Sequence, residues 1–363
     1  LISDAPLGIF LSGGLDSSAL AALAAQIIRN QHKSTKIGVN QRLTTLSVVF
    51  KEKEFSEKKY QDLVVKKIGS EHREIKITSK DFFDSFGEIF EAMDQPTIDG
   101  VNSFFIAKAA KQAGLKAVLS GLGADEIFCG YAHFQKAELI KSVQKLPRFL
   151  KSPLNLASLL GDRYSKLNYL ASSNALGFYL GIRGLFSPQE IAKILDINLS
   201  EVNNFINELA QLQQLEYTKQ LEQLHPVDLL SYLELKFYLQ NQLLKDTDFM
   251  SMHHSIEVRV PFLDHKVVEY LSSLPQEMKL KNLKTEELKN INKPLLVSAV
   301  KDLLPKEILS RKKMGFTFPF EKWLRQMPNN STTNNLITDN SITKPKTHWS
   351  RSWAKVVLKK YLN

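Results

Sequence analysis

The sequence carries one cysteine among 363 residues, Cys129. A single thiol forms no internal disulfide, which excludes a disulfide-stapled scaffold and fits a reducing cytoplasm. Cys129 also stands far from the first residue, so it is no N-terminal nucleophile. The eight histidines show no metal-ligand spacing with it. His253 and His254 are adjacent, and neighbouring side chains are expected to point apart, so no structural zinc is expected. No apolar run approaches the roughly 18 residues needed to span a bilayer, and no signal-peptide pattern opens the chain. The absence of Gly-x-x-x-x-Gly-Lys-Ser/Thr excludes the usual kinase-type phosphate loop. The sequence begins at Leu1, a few residues before an apolar run, and is expected to be a fragment or a chain whose N-terminal part is absent.

What is present is ordinary in bulk: 43% hydrophobic and 24% charged residues, as in soluble globular proteins, and length enough for two domains. The net charge of +10 raises the question of nucleic acid. Between Gln276 and Arg325 the basic residues are spread among acidic ones, with no aromatic before Phe316, so a solvated surface is expected and nucleic acid is not.

The most informative stretch is Ser12-Gly13-Gly14-Leu15-Asp16-Ser17-Ser18, fed by the apolar Leu7, Ile9, Phe10 and Leu11 and followed by an alanine-rich helix. Glycines let main-chain N–H groups approach an anion closely, serines add hydroxyl donors, and a helix N-terminus adds its dipole. The pattern therefore predicts a phosphate-binding loop. Asp16 beside a polyphosphate is repelled unless a divalent cation intervenes, which points to Mg²⁺.

Downstream, the first third alternates strand and helix. Leu20, Leu23, Ala24, Ile27 and Ile28 mark one helical face; Thr44 to Phe50 reads as a buried strand; Tyr60, Leu63, Val64 and Ile68 mark a second helix. Glu74 to Ile77 reads as a third strand, Asn102 to Gln112 as a helix, and Lys116 to Ser120 as a fourth strand. Such alternation implies a doubly wound parallel α/β sheet with ligands at the carboxyl ends of its strands, so the loops at Ser12 and Ser120 are expected to face one site. Beyond Phe134 the pattern is helical, turns Asn/Ser/Thr-rich from Gln326, and ends in an amphipathic segment, His348 to Leu362, that docks back. The expected divisions are 1–135, an α/β core with the phosphate-binding loop; 136–325, mainly helical; and 326–363, a polar loop and terminal segment.

Three further constellations carry chemistry. Ser120-Gly121-Leu122-Gly123-Ala124-Asp125-Glu126-Ile127-Phe128-Cys129-Gly130-Tyr131 is denser in glycine than a connector requires. In Arg259-Val260-Pro261-Phe262-Leu263-Asp264-His265, an ion pair between Arg259 and Asp264 is expected to fix a loop. Arg311-Lys312-Lys313-Met314-Gly315-Phe316 opens a turn with three cations, for which a solvated basic patch is the simplest reading.

The Ser12 heptad resembles the pyrophosphate loop of ATP pyrophosphatases. In order and spacing the four motifs look like the synthetase half of glutamine-hydrolysing asparagine synthetase, over nearly the whole chain. That resemblance implies an adenine-nucleotide α-hydrolase fold, with ATP phosphates on Ser12, Gly13, Gly14, Asp16, Ser17 and Ser18, and Leu11 and Val48 beside the adenosine. Ser120 and Gly121 would close the site. It further implies Lys313 at the α-phosphate, Asp125, Glu126 and Tyr131 near aspartate, and ATP with Mg²⁺ held by Asp16. The implied reaction makes asparagine through β-aspartyl-AMP and pyrophosphate, with ammonia as nitrogen source, free or derived from glutamine. The implied glutaminase domain, headed by a cysteine, has no counterpart here, so it would be a separate or lost part. The resemblance allows a homodimer and implies no membrane and no nucleic acid.

Departures bear on the substrate. Leu122 stands where typical asparagine synthetases carry the glutamate expected at the intermediate-forming step, and a leucine takes no proton. Phe249 stands where relatives more often have arginine, and Cys129 where they have glycine. These point to a subgroup, with asparagine as first choice and another carboxylate, such as a sugar acid, as alternative. A tRNA-modifying enzyme and a non-catalytic relative are the remaining alternatives.

Overall fold

The computed structural model describes residues 1–34, 42–147, 165–171, 174–214, 218–280, 292–315, 317–325 and 348–362. The polar stretch at 326–344 and Phe316 lie outside them. The described chain forms two compact units: Leu1–Phe128 with Lys236–Asn363, and Cys129–Leu235. The divisions read from composition follow chain order, with boundaries after 135 and 325. Composition carries no mark of a segment that leaves a sheet and returns to it.

The first unit is built on a five-stranded sheet in the order β3-β2-β1-β4-β5. The strands are β1 (Leu7–Phe10), β2 (Thr44–Val49), β3 (Glu71–Lys76), β4 (Ala117–Leu119) and β5 (Glu257–Arg259). Every pairing is parallel, with Gly8 opposite Thr44 on one side of β1 and opposite Val118 on the other. The expected α/β parallel sheet is therefore present, with β3 starting three residues earlier than the sequence pattern places it. The helices of its first part are α1 (Leu15–Ser34), α2 (Lys58–Ile68), α3 (Ser79–Asp84), α4 (Phe86–Glu91), α5 (Gly100–Gln112) and α6 (Ala124–Ile127). After β1 the chain winds outward through α1, β2, α2 and β3, then crosses to β4 on the other side. The crevice beyond the carboxyl ends of β1 and β4 is thus a switch point, where ligands of open α/β sheets bind.

α1 departs from its expected face. Leu23 and Ile27 are 37% and 47% exposed, whereas Ala19, Ala21, Ala22, Ala24 and Ala25 are buried. α1 meets β1, α2 and the helices Pro294–Val300 and Lys306–Leu309, and small side chains allow that close approach. The core is aromatic: the Phe82 ring lies 6.0 Å from Trp353, 5.7 Å from Phe320 and 5.8 Å from Trp323. The terminal helix Trp349–Leu362 thereby docks back as its amphipathic pattern predicts, with Trp353 fully buried.

Arg259 and Asp264 do not pair. Arg259 Nε donates to Glu257 at 2.7 Å and its Nη1 to the Ile2 carbonyl at 2.7 Å, while Asp264 caps the helix His265–Ser273 by accepting from Lys266 N.

The second unit is helical, with Ala137–Lys145, Ala175–Arg183, Pro188–Leu195, Leu199–Gln214, Thr218–Gln223 and Pro226–Leu233. Glu234, fully buried, accepts from Arg183 Nε at 2.8 and 3.0 Å, and His133 Nε2 lies 2.8 Å away. The Arg183 guanidinium in turn lies 4.3 Å over the Tyr131 ring.

Candidate active site

The end of β1 is held straight into the loop. Leu11 N donates to Leu46 O at 2.8 Å and Leu11 O accepts from the Ser47 hydroxyl. The chain then turns at Gly13, whose φ of +83° is open to glycine and costly for other residues. A Cβ there would also sit 3.1 Å from Gln61 N of α2. Ser12 Oγ accepts from Gly14 N at 3.2 Å and lies 3.0 Å from Ser17 Oγ, so the loop is tied before any ligand arrives. The first helical bond of α1 runs from Ser18 N to Gly14 O at 3.1 Å. The N–H groups of Leu15, Asp16 and Ser17 therefore precede the ladder and remain available to an anion.

The loop after β4 meets that helix end directly. Ser120 N donates to Arg259 O at 2.8 Å, which seats the loop on β5. Gly121 then passes so close that a Cβ would lie 3.0 Å from Ser17 N and 3.1 Å from Asp16 Cβ. This close approach accounts for one of the glycines that no simple connector explains. Beyond it α6 begins, with Asp125 in its first turn.

Against the first loop and α6 lies a cleft of about 180 Å³ lined by Ser12, Gly14, Asp16, Ser17, Asp125, Lys293, Arg311 and Lys313 among others. Lys293 Nζ donates to Asp16 Oδ1 at 2.5 Å and pairs with Asp125 Oδ1 at 2.8 Å. Lys313 Nζ donates to the same Asp125 oxygen at 2.5 Å. Two carboxylates and two ammonium groups thus form one chain of charge. Lys293 is the member that sequence reasoning missed. Its side chain is 2% exposed, and its backbone stands at φ 58°, ψ 61°, left-handed, immediately before Pro294. Non-glycine residues rarely adopt that region, and a residue before proline is normally extended. Strain of this kind costs on the order of 1–3 kcal/mol and persists where the surroundings over-determine it.

The electrostatics follow from burial against charge. Burial pushes the Asp16 carboxyl above its ordinary value despite Lys293. Burial also opposes ionisation of Asp125, but Lys293 and Lys313 together pull it below its ordinary value. Burial works against the Lys293 ammonium too, and Asp16 and Asp125 outweigh it, so its pKa is raised. For Lys313 burial wins over Asp125, and the ammonium is a better acid than a free lysine.

Arg311 is not part of a solvated patch. Its side chain is 7% exposed, with Nη1 donating to Gly13 O at 2.6 Å, Nη2 to Glu57 Oε1 at 2.5 Å, and the guanidinium 4.0 Å over the Tyr60 ring. It staples the phosphate-type loop to α2. Burial pushes Glu57 up against the pull of Arg311.

The structure thus brings Ser12, Gly14, Asp16, Ser17, Asp125 and Lys313 to one cleft, with Gly13 packed close to α2 and Gly121 close to the start of α1. The other expected residues are not among those that line this cleft. Leu11, Val48 and Ser18 are buried at 0%, 3% and 0% exposure, and Val48 packs in the apolar core. Ser120 and Leu122 are half-buried, the Ser120 hydroxyl accepting from Leu122 N at 3.3 Å. Glu126 is buried at 1%. Tyr131 belongs to the second unit, under Arg183. Asp246 is buried and accepts from the Thr97 hydroxyl. The two adjacent histidines also depart from expectation: their rings lie 5.1 Å apart, both beside Glu88.

A parallel sheet whose first strand runs through a Ser-Gly-Gly-x-Asp-Ser loop into a helix N-terminus defines a nucleotide-binding α/β fold of the PP-loop type. The chain belongs to the asparagine synthase family, which it matches over residues 1–354. It is 29% identical over 335 residues to asparagine synthetase [glutamine-hydrolyzing] 1 of Bacillus subtilis (strain 168), covering 90% of this chain and 48% of that protein. A putative asparagine synthetase [glutamine-hydrolyzing] of Mycobacterium tuberculosis (strain ATCC 25618 / H37Rv) is 30% identical over 329 residues, covering 89% and 46%. Amidase chry2 of Gibberella zeae is 25% identical over 356 residues, covering 89% and 50%. The chain spans about half the length of the curated relatives it matches.

Proposed function

We propose that this chain is the ATP-dependent, amide-forming synthetase portion of an asparagine synthetase, acting on aspartate in the cytoplasm. The observation that carries the reading is the meeting of the loop after β1 with α6, which follows β4, at one cleft holding Asp16, Asp125, Lys293 and Lys313. In the proposed reaction a carboxylate oxygen of aspartate attacks the α-phosphorus of ATP, and the bond from that phosphorus to the bridging oxygen breaks. Pyrophosphate leaves, and β-aspartyl-AMP forms. Ammonia then attacks the acyl carbon, the bond to AMP breaks, and asparagine results. The proton lost by nitrogen falls to the departing phosphate oxygens, since Leu122 has no acceptor and Asp125 is kept a weak base by two lysines.

Each group has a task. The N–H groups at the start of α1 and the Ser12 and Ser17 hydroxyls receive phosphate oxygens. Lys293 and Lys313 meet charge that grows on the leaving pyrophosphate, where positioned cations are most effective. Asp125 orients both lysines, a role that differs from the substrate contact its position in the motif implies. The cluster supports a divalent cation as well. Among the described cleft residues the two lysines already sit against two carboxylates, and Arg311 against Glu57, so they offset only part of a triphosphate's charge and leave the rest to a cation. The carboxylates of Asp16 and Asp125 and the serine hydroxyls are hard oxygen donors of the kind Mg²⁺ takes. When bound, Mg²⁺ neutralises polyphosphate charge.

A second reading rests on Leu122. A hydrocarbon at that position removes a base from the amidation step and favours another carboxylate acceptor. The deciding experiment supplies the purified chain with ATP, MgCl₂, aspartate and ammonium chloride and measures pyrophosphate and asparagine. Pyrophosphate and AMP in equal amounts support adenylation; ADP as the nucleotide product refutes it. Pyrophosphate release with a different carboxylic acid and none with aspartate selects the second reading. Glutamine replacing ammonium identifies a nitrogen source beyond this chain's own cleft.

A further inference from the structure

We infer that Glu88, His253 and His254 form a binding site for a divalent transition-metal ion of the zinc type, separate from the nucleotide cleft. One ligand atom from each of the three residues lies within 4.8 Å of the others. Two imidazoles and a carboxylate are a donor set suited to Zn²⁺, with a fourth position left for water. None of the three lines the cleft described above.

The local fold explains how neighbouring histidines come together. The helix Leu244–Met252 ends at His253, whose N–H still donates to Phe249 O at 3.0 Å. The next residues fold back: His254 N and Ile256 N both donate to Ser251 O at 3.0 Å, and Ser255 takes φ +58°. A left-handed residue closing a helix reverses the chain, so alternation of side chains no longer holds there. Both rings then flank Phe104 of α5, with centroids 4.5 Å from it for His254 and 5.9 Å for His253.

Two observations point to a ligand. His254 is 3% exposed, and its Nε2 is buried with no hydrogen-bond partner among the described residues. A buried polar atom left unpaired destabilises the fold, and coordination would remove that cost. Glu88 is already oriented: His253 Nε2 lies 3.2 Å from Oε1, while Lys108 Nζ holds Oε2 at 2.9 Å and also bonds Ser85 Oγ at 3.0 Å. A carboxylate with one oxygen held by a lysine presents the other as a single ligand, the usual outer-shell arrangement of metal sites. Zinc–nitrogen bonds of about 2.0–2.1 Å require the three donors to close by roughly an ångström. Glu88 and His253, 37% and 30% exposed at their side chains, have room to move.

The test is titration of the chelator-stripped full chain with ZnCl₂ by calorimetry, with CoCl₂ absorbance reporting a tetrahedral nitrogen–oxygen site. The expected result is one saturable equivalent, weakened at least about tenfold by each of Glu88→Gln, His253→Gln and His254→Gln. Circular dichroism confirms that the variants fold. The two partly exposed positions provide the test should His254→Gln disturb packing. Absence of a stoichiometric equivalent, or an equivalent that Glu88→Gln and His253→Gln leave unchanged, overturns the inference. Neither readout depends on amide-forming activity.

Discussion

Replacing Lys293 by methionine tests the charge cluster most directly. The substitution keeps length and removes the ammonium that lies 2.5 Å from Asp16 and 2.8 Å from Asp125. Breaking a buried ion pair by deleting one partner costs about 3–5 kcal/mol, because the other charge stays buried. Two features set this case near the lower end. Asp16 is already pushed toward its protonated form by burial, so it takes up a proton readily once Lys293 is gone. Asp125 retains Lys313 at 2.5 Å. We therefore expect a loss of about 3 kcal/mol at pH 7, read by urea denaturation.

The pH dependence has a definite sign. The Asp125 carboxyl lies below its ordinary 3.8 in the fold, so its contribution is present above that value and lost as pH falls through the lowered one. The gap between wild type and variant should therefore narrow below about pH 4. Pyrophosphate release should fall at least about 100-fold, the scale for removing one charge-stabilising donor. Lys313→Met supplies the contrast. Lys313 is 32% exposed, so stability should change by at most about 1 kcal/mol while activity falls comparably. A Lys293→Met protein with wild-type stability and turnover would refute the reasoning.

Three other outcomes follow from the geometry. Arg311→Met should cost about 3–5 kcal/mol by leaving Glu57 buried and uncompensated, and adding Glu57→Gln should restore a large part of it in a denaturation double-mutant cycle. Asp246→Asn should stabilise the protein at alkaline pH. Burial pushes that carboxyl to about 7 from 3.8, so the wild type loses stability as pH rises between these values, up to about 4 kcal/mol, and the variant should not. Gly121→Ala should raise the KM for ATP, because its methyl group presses on Ser17 N at 3.0 Å, a backbone atom that yields only if the start of α1 moves. An unchanged KM would mean that the two loops are not packed as described.

Much of the fold was legible because its signals are local. The apolar run Leu7 to Leu11, the glycine pair and the alanine-rich segment each report on residues within one turn or strand, and they became β1, the loop and α1. Boundaries were softer. β3 begins at Glu71, although Glu71, His72 and Arg73 look like loop, since pairing with β2 and not side-chain polarity sets the extent of an edge strand. The buried face of α1 was misread because periodicity favours large apolar residues, whereas its packing neighbours selected alanines and left Leu23 and Ile27 outside.

Within the candidate site, Asp16, Asp125 and Lys313 stood out because each sits in a motif. Lys293 did not, because it is one lysine in a lysine-rich segment, and its one local mark is the proline that follows. Arg311 looked like surface charge for the same reason. Its partners, Gly13 and Glu57, lie some 250 to 300 residues away in sequence. No local pattern encodes a pairing of that kind.

The amino-acid sequence by itself determined the strand–helix alternation of the first third, where a glycine–serine loop meets a helix N-terminus, and the family to which the chain belongs. The elements and the loop follow from backbone preference and periodicity over a few residues, and the family follows from the order and spacing of the motifs. Only the tertiary structure decided that Lys293 bridges Asp16 and Asp125, that Arg311 is buried, and that two consecutive histidines face one carboxylate. Those facts depend on which distant groups share a low-dielectric interior, and that is settled when the sheet closes and the chain returns to it.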